Sequence, residues 1–216
     1  MSSENNISKV FAVGGGIVQD NLEDIENFVE ALESDEQIAV VTGAGDLNRY
    51  QSAVSGNNGE KDLIGIKATR LHAQTVLTEM ENAYREVPET PEKVQVAASS
   101  GKNVVMGGLV PGYSTDAVAA TVAELLDADL YIATTVDGIY SEDPEEVSDA
   151  EKFDEISVEK LLEITGGANE PGVYSVVDEA AVRIIDRSEI STKIFQADLE
   201  NLENPEGAEG TEIIHH

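Results

Sequence analysis

The stretch KVFAVGGGIVQDN, residues 9–21, runs an apolar strand directly into three glycines, Gly14, Gly15 and Gly16. Glycine loses more backbone freedom on folding than any other residue, so a run of three answers some local requirement. Neither common phosphate-cradling motif fits. No Gly-Lys-Ser/Thr follows, as a P-loop demands, and Gly14-Gly15-Gly16-Ile17-Val18-Gln19 lacks the G-x-G-x-x-G spacing of a dinucleotide fingerprint.

The same grammar recurs downstream. QIAVVTGAG (37–45) reads as a buried strand entering a second glycine turn, and NVVMGG (103–108) as another, followed by Pro111 and Gly112. Between the strands lie helical patterns. NLEDIENFVEALES carries Leu22, Ile25, Phe28, Val29 and Leu32 at helical spacing, with Asp20 or Asn21 as the expected N-cap. From Lys61 to about Arg85 the chain reads as a helix with Ile64, Leu71, Val76 and Met80 on its apolar stripe, and EVPETPEKVQ (86–95) as a proline-rich turn region. Ser114 or Thr115 is expected to cap a helix striped by Val118, Val122, Leu125 and Leu126. A strand over 129–138, an acidic loop over 141–155 and a helix near 157–164 follow. A glycine loop at 166–172, a helix from about 175 to 187 and a strand near 192–196 complete the pattern. This alternation predicts an α/β fold: a three-layer sandwich whose central sheet is mainly parallel and flanked by helices. No repeat or linker separates the halves, so a single domain is expected over 1–216.

Charge is the compositional outlier. The chain has 43 Asp and Glu against 13 Lys and Arg, a formal net charge of −30, spread along the sequence rather than gathered in a tail. A polyanion repels phosphate backbones, so nucleic-acid binding is excluded as a default role. A solvated acidic surface accounts for the charge. A sharper version is adaptation to concentrated salt, because at about 1 M the Debye length shrinks to ~3 Å and the acids cease to repel one another. Hydrophobic residues make up 41%, which supports a core. There is no Cys, no apolar run of membrane-spanning length and no secretory pattern in MSSENNISKV, so a cytoplasmic protein without disulfides is expected. His215 and His216 resemble the start of a purification tag and are set aside. That leaves His72 as the only other histidine, and no protein metal centre is expected.

Glycines at the carboxyl ends of parallel strands let backbone N–H groups approach a phosphate, with a helix N-terminus beyond adding positive potential. A tight turn accounts for any one cluster. Three in one sheet point to a phosphorylated ligand.

The ordered series VGGG, VVTGAGDLNR, DLIGIKATRLHA, VVMGGLVPGYSTDAVAATVAELLDADL, ATTVDGIYSEDP and VVDEAAVRII resembles the amino-acid-kinase fold family, and within it the archaeal type of uridylate (UMP) kinase. The resemblance runs from about residue 9 to Thr211, and PGYSTDAVAA and TTVDGIYSEDP are its most specific segments. It implies transfer of the γ-phosphoryl of ATP to UMP with Mg²⁺. It also implies a UMP-binding lobe over about 9–126, an ATP-binding lobe over about 127–211, and a homohexamer. On the ATP side it assigns Gly14, Gly15, Gly16, Gly45, Arg49, Thr134, Tyr140 and Asp143. On the UMP side it assigns Ala44, Asp62, Val110, Pro111, Gly112, Tyr113, Ser114, Thr115 and Asp116, the last also organising phosphoryl transfer as the catalytic residue. Asp178 and Arg183 lie on a helix expected along the ATP side.

Against that pattern, Gly16 stands where relatives carry serine, Ala12 where many kinases of this fold carry lysine, and Arg183 where lysine is common. Ala44 replaces a glycine, Asp46 follows where a lysine or neutral residue is expected, and His72 stands in place of asparagine. Two other readings stay open at this point: a nucleotide- or anion-binding relative without catalysis, and a kinase of this fold with another acceptor.

Overall fold

Valine and isoleucine dominate the strands because both sides of the sheet are covered, which the computed structural model describes for residues 6–144, 146–147, 149–165 and 176–215. In chain order the first half comprises β1 (Ile7–Val13), α1 (Gly15–Asp20), α2 (Ile25–Leu32), β2 (Gln37–Thr42), α3 (Arg49–Ser52), α4 (Asn58–Glu79), α5 (Pro91–Ala98), β3 (Val104–Met106) and α6 (Thr115–Leu126). The second half comprises β4 (Asp129–Thr134), β5 (Ile139–Tyr140), β6 (Lys152–Phe153), β7 (Glu155–Ser157), α7 (Val158–Thr165), α8 (Glu179–Arg187), β8 (Thr192–Gln196), α9 (Leu199–Glu203) and β9 (Gly210–Ile214).

The main sheet has seven strands in the order β3-β2-β1-β4-β8-β9-β7. Neighbours from β3 through β8 pair in parallel, whereas β9 runs antiparallel to β8 and parallel to β7. Strand β1 has β2 on one side and β4 on the other, in register Val10 with Ala39 and Leu130. Strand order therefore reverses direction at β1, and a crevice opens outside the carboxyl ends at such a switch point.

Alternate residues of β1 enter opposite cores. Val10 and Ala12 pack with Val94 of α5, Ala117, Ala120 and Val122 of α6, and Val182 and Ile185 of α8. Phe11 and Val13 pack with Ile17 and Val18 of α1, Phe28 and Leu32 of α2, and Val76 and Leu77 of α4. These two cores make the three-layer sandwich that the alternation predicted. Phe11 stacks on Tyr131 at 5.5 Å, and each fully buried aliphatic or aromatic side chain contributes about 1.5–3 kcal/mol.

Helix starts follow their caps. Asn57 and Glu60 form a reciprocal capping box, Glu60 N–H donating to Asn57 Oδ1 at 3.0 Å and Asn57 N–H to Glu60 Oε2 at 2.9 Å. This box starts α4 ahead of the expected Lys61, and the helix ends at Glu79, short of Arg85. Leu71, expected on its apolar stripe, is 58% exposed. The region 86–95 is not all turn: Thr90 caps α5 and Pro91 occupies its first turn, where its missing N–H costs nothing. Neither Asp20 nor Asn21 caps α2. Residues 22–24 form a 3₁₀ turn first, and Asn21 Nδ2 closes α1 by donating to Ile17 O at 2.8 Å. The stretch 141–155 contains β6 and the start of β7 as well as acidic loop. The glycine loop expected at 166–172 lies outside the described residues, and α8 is described from Glu179.

Candidate active site

The turns after β1 and β2 pack back to back. Gly15 opens α1, with Gly14 as N-cap and Ile17 and Val18 N–H donating to Gly14 O at 3.1 and 3.3 Å. A Cβ on Gly15 would stand 2.6 Å from the Gly43 carbonyl carbon and closer still to the backbone of Ala44 and Gly45. Across the contact, a Cβ on Gly43 would lie 2.7 Å from Gly15 N and 3.0 Å from Thr115 Oγ1. Gly45 has φ +52° and lies under Gln19, whose Oε1 accepts Asp46 N–H at 2.9 Å. Buried His72, reaching from α4, donates its Nδ1–H to Gly43 O at 2.8 Å. Gly14 N–H is used in a bond to Ala133 O at 3.4 Å, joining the turn to β4. Gly15 and Gly16 N–H belong to the first turn of α1, where helical N–H groups have no carbonyl of their own helix to meet. Nothing lies within 4 Å of the position a Gly16 Cβ would take.

Beside these turns opens a cleft of about 410 Å³, lined by Ala44, Asp62, Thr69, Gly108, Gly112 and Thr115 among others. The size suits a small ligand. Of the residues expected on the UMP side, Ala44, Asp62, Val110, Gly112, Tyr113, Ser114 and Thr115 line it; Pro111 and Asp116 do not. Asp62 stands on α4, and its Oδ2 accepts Gly112 N–H at 2.9 Å, where Gly112 has φ +84°. Gly108, from the third of the glycine clusters read as pointing to a phosphorylated ligand, also lines the cleft, while Asn48, Gln51, Gly65, Ile66 and Thr69 line it and were not foreseen. Helical spacing from Asp62 through Gly65 and Ile66 to Thr69 is the signal that could have found the α4 members.

The cleft floor is the start of α6. Ser114 caps that helix by accepting Ala117 N–H at 3.0 Å, and its hydroxyl donates to Asp178 Oδ2. Asp178 in turn caps α8 through Ala180 and Ala181 N–H at 2.9 and 3.2 Å. Two helix N-termini are thus tied together beside the turn after β1, a setting that favours anions. Asp116, in the first turn of α6, is partly buried; desolvation first and the negative charge of Asp178 second push its carboxyl up to about 7.

The residues expected on the ATP side are more dispersed. Thr134 ends β4, with its carbonyl accepting Ala197 N–H at 2.8 Å. Tyr140 OH donates to Asp137 Oδ1 at 2.8 Å and Lys152 Nζ to Asp137 Oδ2 at 3.2 Å. Burial alone would raise the Asp137 carboxyl, but these two bonds outweigh it and hold it below the usual range. Asp143 O accepts Glu146 and Val147 N–H at 3.1 and 2.8 Å in the loop between β5 and β6. Arg49 is exposed, its guanidinium 5.7 Å from the Tyr50 ring centroid, and it does not line the cleft. Arg183 pairs with Glu179 one turn back on α8. Ala12 is 1% exposed in the core under α6 and supplies no cation. Among the described residues no group of three or more His, Asp or Glu side chains is arranged to hold a metal ion.

The profile of the amino acid kinase family matches residues 60–196. The chain belongs to the amino acid kinase family. It is 42% identical over 199 residues to a uridylate kinase of Methanococcoides burtonii, covering 86% of this chain and 85% of that one. It is 38% identical over 201 residues to a uridylate kinase of Methanococcus maripaludis, covering 87% and 89%. The crystal structure of uridylate kinase from Archaeoglobus fulgidus superposes with a TM-score of 0.87 at 35% identity, over 96% of this chain and 100% of that one.

Proposed function

We propose that this protein transfers the γ-phosphoryl group of ATP to UMP, giving UDP and ADP. The observation that carries the reading is the cleft with Asp62 on its wall and the α6 N-terminus on its floor, beside the glycine turn at the sheet's switch point. A carboxylate on the wall suits ribose hydroxyls, which donate to it. Ser114, Thr115 and the first N–H groups of α6 suit the monophosphate. UMP would then lie on the β2–β3 side of β1 and ATP on the β4–β8 side. The transferring group would lie over the N–H groups of Gly15 and Gly16, and phosphoryl transfer draws most of its rate from such positioning and charge stabilisation.

Asp116 and Asp178 lie near enough for one charge to act on the other, and both offer only oxygen. That donor set suits Mg²⁺, which is commonly held by one or two carboxylates together with substrate phosphates. When bound, Mg²⁺ supplies charge neutralisation on the phosphates. Asp116 holds its place at the head of α6, and Ser114 holds Asp178 through their hydrogen bond.

The −30 charge supports a fold adapted to concentrated salt, in a cytoplasmic setting. The melting temperature should fall when KCl is lowered from molar to millimolar; an unchanged value would refute the adaptation. No described helix is long and apolar enough to cross a membrane. The resemblance implies a homohexamer, and sedimentation velocity at molar KCl tests it. The activity itself is tested by offering ATP, Mg²⁺ and each nucleoside monophosphate in turn at molar KCl and following ADP release. UMP should be turned over in preference; nucleotide binding without turnover would overturn the kinase reading.

A further inference from the structure

Arg70 lies outside the cleft lining, yet it grips the segment that forms one wall. Its Nε donates to Gly108 O at 3.2 Å, its Nη2 to Glu89 O at 3.3 Å, and its Nη1 pairs with Glu89 Oε1 at 2.9 Å. The other polar group of Gly108, its N–H, donates to Thr69 Oγ1 at 2.7 Å. Adjacent residues of α4 therefore hold both the N–H and the C=O of one glycine. Thr69 is itself fixed, donating to Ile66 O at 2.8 Å while its carbonyl accepts from Thr42 Oγ1 at 2.8 Å. Gly107 is pressed against the same helix: a Cβ there would lie 2.5 Å from Thr69 Oγ1 and 2.7 Å from Arg70 N.

The far anchor is also stiff. Glu89 follows Pro88 and precedes Thr90, the cap of α5. Only a planar guanidinium with donors on several nitrogens can span the Gly108 carbonyl and both oxygen groups of Glu89. The side chain of Arg70 is 23% exposed, so water screens these charge-assisted bonds only in part. Two turns earlier on α4, Asp62 holds Gly112 N–H, and between those grips run Leu109, Val110 and Pro111.

We propose that Arg70 is a positioning residue for the phosphoryl acceptor. It acts through Gly108 to fix the direction in which residues 109–114 leave β3, and so the shape of the cleft that receives the monophosphate. The inference rests on the acceptor reading above, with UMP as the acceptor. It predicts a split between the two substrates, since on the ATP side Thr134 O is bonded to Ala197 N–H and Tyr140 OH to Asp137, partners outside this network.

The test is steady-state kinetics at molar KCl on Arg70→Gln, Arg70→Lys and Glu89→Gln, varying UMP and ATP separately. Arg70→Gln should raise the KM for UMP about tenfold or more, the scale of losing charged hydrogen bonds, while the KM for ATP stays within about twofold. Arg70→Lys keeps the charge but not the fork, and should recover only part of the loss. Arg70→Gln/Glu89→Gln should be no worse than Arg70→Gln alone. Amide exchange over 107–113 should quicken in Arg70→Gln while β4 and β8 stay protected. An unchanged UMP KM in a folded variant, equal rises for both substrates, or full recovery by lysine would overturn the proposal. Should Arg70→Gln fail to fold, Arg70→Lys carries the same comparison. If the wild type favours another acceptor, the reading of UMP fails while the split must appear on that acceptor's KM. If it turns over none, the exchange measurement decides Arg70's role.

Discussion

The turns after β1 and β2 are both glycine-rich, but their glycines do different things. After β2, Gly43 and Gly45 are hemmed in: Gly43 by Gly15 and Thr115, Gly45 by a positive φ and the chain of Gln19. After β1, Gly15 is equally confined, whereas the next residue, Gly16, faces open space. Bare backbone therefore serves close approach at one residue and open access at its neighbour. The distinction can be broken experimentally at single positions.

Gly15→Ala should have the largest effect. Its Cβ would press on the backbone of Gly43, Ala44 and Gly45 rather than on side chains that could swing away. Separating the turns would also disturb the β1–β2 register beneath them. Overpacking at a rigid contact costs about 3 kcal/mol or more, so chemical denaturation at molar KCl should show at least that loss. A cost below about 1 kcal/mol would mean that the two turns separate easily.

Asp116→Asn should divide activity from stability. The carboxyl, raised to about 7 by burial and by Asp178, is protonated more readily in the folded chain than in the unfolded one. Its contribution to stability is therefore full below the ordinary aspartate range, near pH 4, and is lost as pH rises through about 7. Without nucleotide and with EDTA present, Asp116→Asn should remove that part of the pH dependence. At pH 8 it should be more stable than the wild type by on the order of 2–4 kcal/mol, at about 1.4 kcal/mol per pKa unit. Turnover should nevertheless drop by about a hundredfold or more, the scale of removing a group that acts on a charged transition state. A variant with full turnover would take Asp116 out of the mechanism, and parallel pH curves would take it out of the linkage.

Asp62→Asn should act on the acceptor alone. The amide oxygen can still receive Gly112 N–H, so the wall stays in place while the charge facing the ribose hydroxyls is lost. The KM for UMP should rise about tenfold with kcat within a few-fold, the size of one charged hydrogen bond. A matching rise for ATP would show that Asp62 supports both lobes rather than the acceptor cleft.

How far these positions could be read from sequence depended on the range of the interaction. Short Val/Ile runs ending in glycine located β1, β2 and β3 because that signal is local. Thr90 and Pro91 carried a local helix start too, but the prolines of 86–95 drew the reading toward turn. Strand β9, GTEII, went unforeseen because it owes its place to pairing with β8 and β7 rather than to a run of its own. In the cleft, Asp62, Val110 and the run from Gly112 to Thr115 were legible through resemblance. Gln51, Thr69 and Arg70 were not, since their roles arise only when α3 and α4 fold against the loop after β3. The resemblance set Gly16 apart as the place of a serine, but that Gly15 is confined while Gly16 is open follows only from the proximity of the second turn.

Gly16→Ser is the smallest change and the sharpest test of that separation. The site has no atom within 4 Å to meet the new Cβ, and Gly16 is not among the glycines with positive φ, so an L side chain meets neither clash nor backbone strain. It lies in the first turn of α1, where serine is tolerated, and replacing glycine restricts the unfolded chain. Stability should therefore hold steady or gain up to about 1 kcal/mol, in contrast to Gly15→Ala one residue away. The hydroxyl would stand beside the N–H groups assigned to the transferring phosphoryl and add a donor there. Turnover should rise by up to about tenfold, the upper scale for one further hydrogen bond to a charged group, with both KM values little changed. If turnover stays level while stability holds, open space at Gly16 is not a missing donor, and the N–H groups of the turn suffice for the phosphate. If stability falls as it does for Gly15→Ala, the difference between the two glycines is itself refuted.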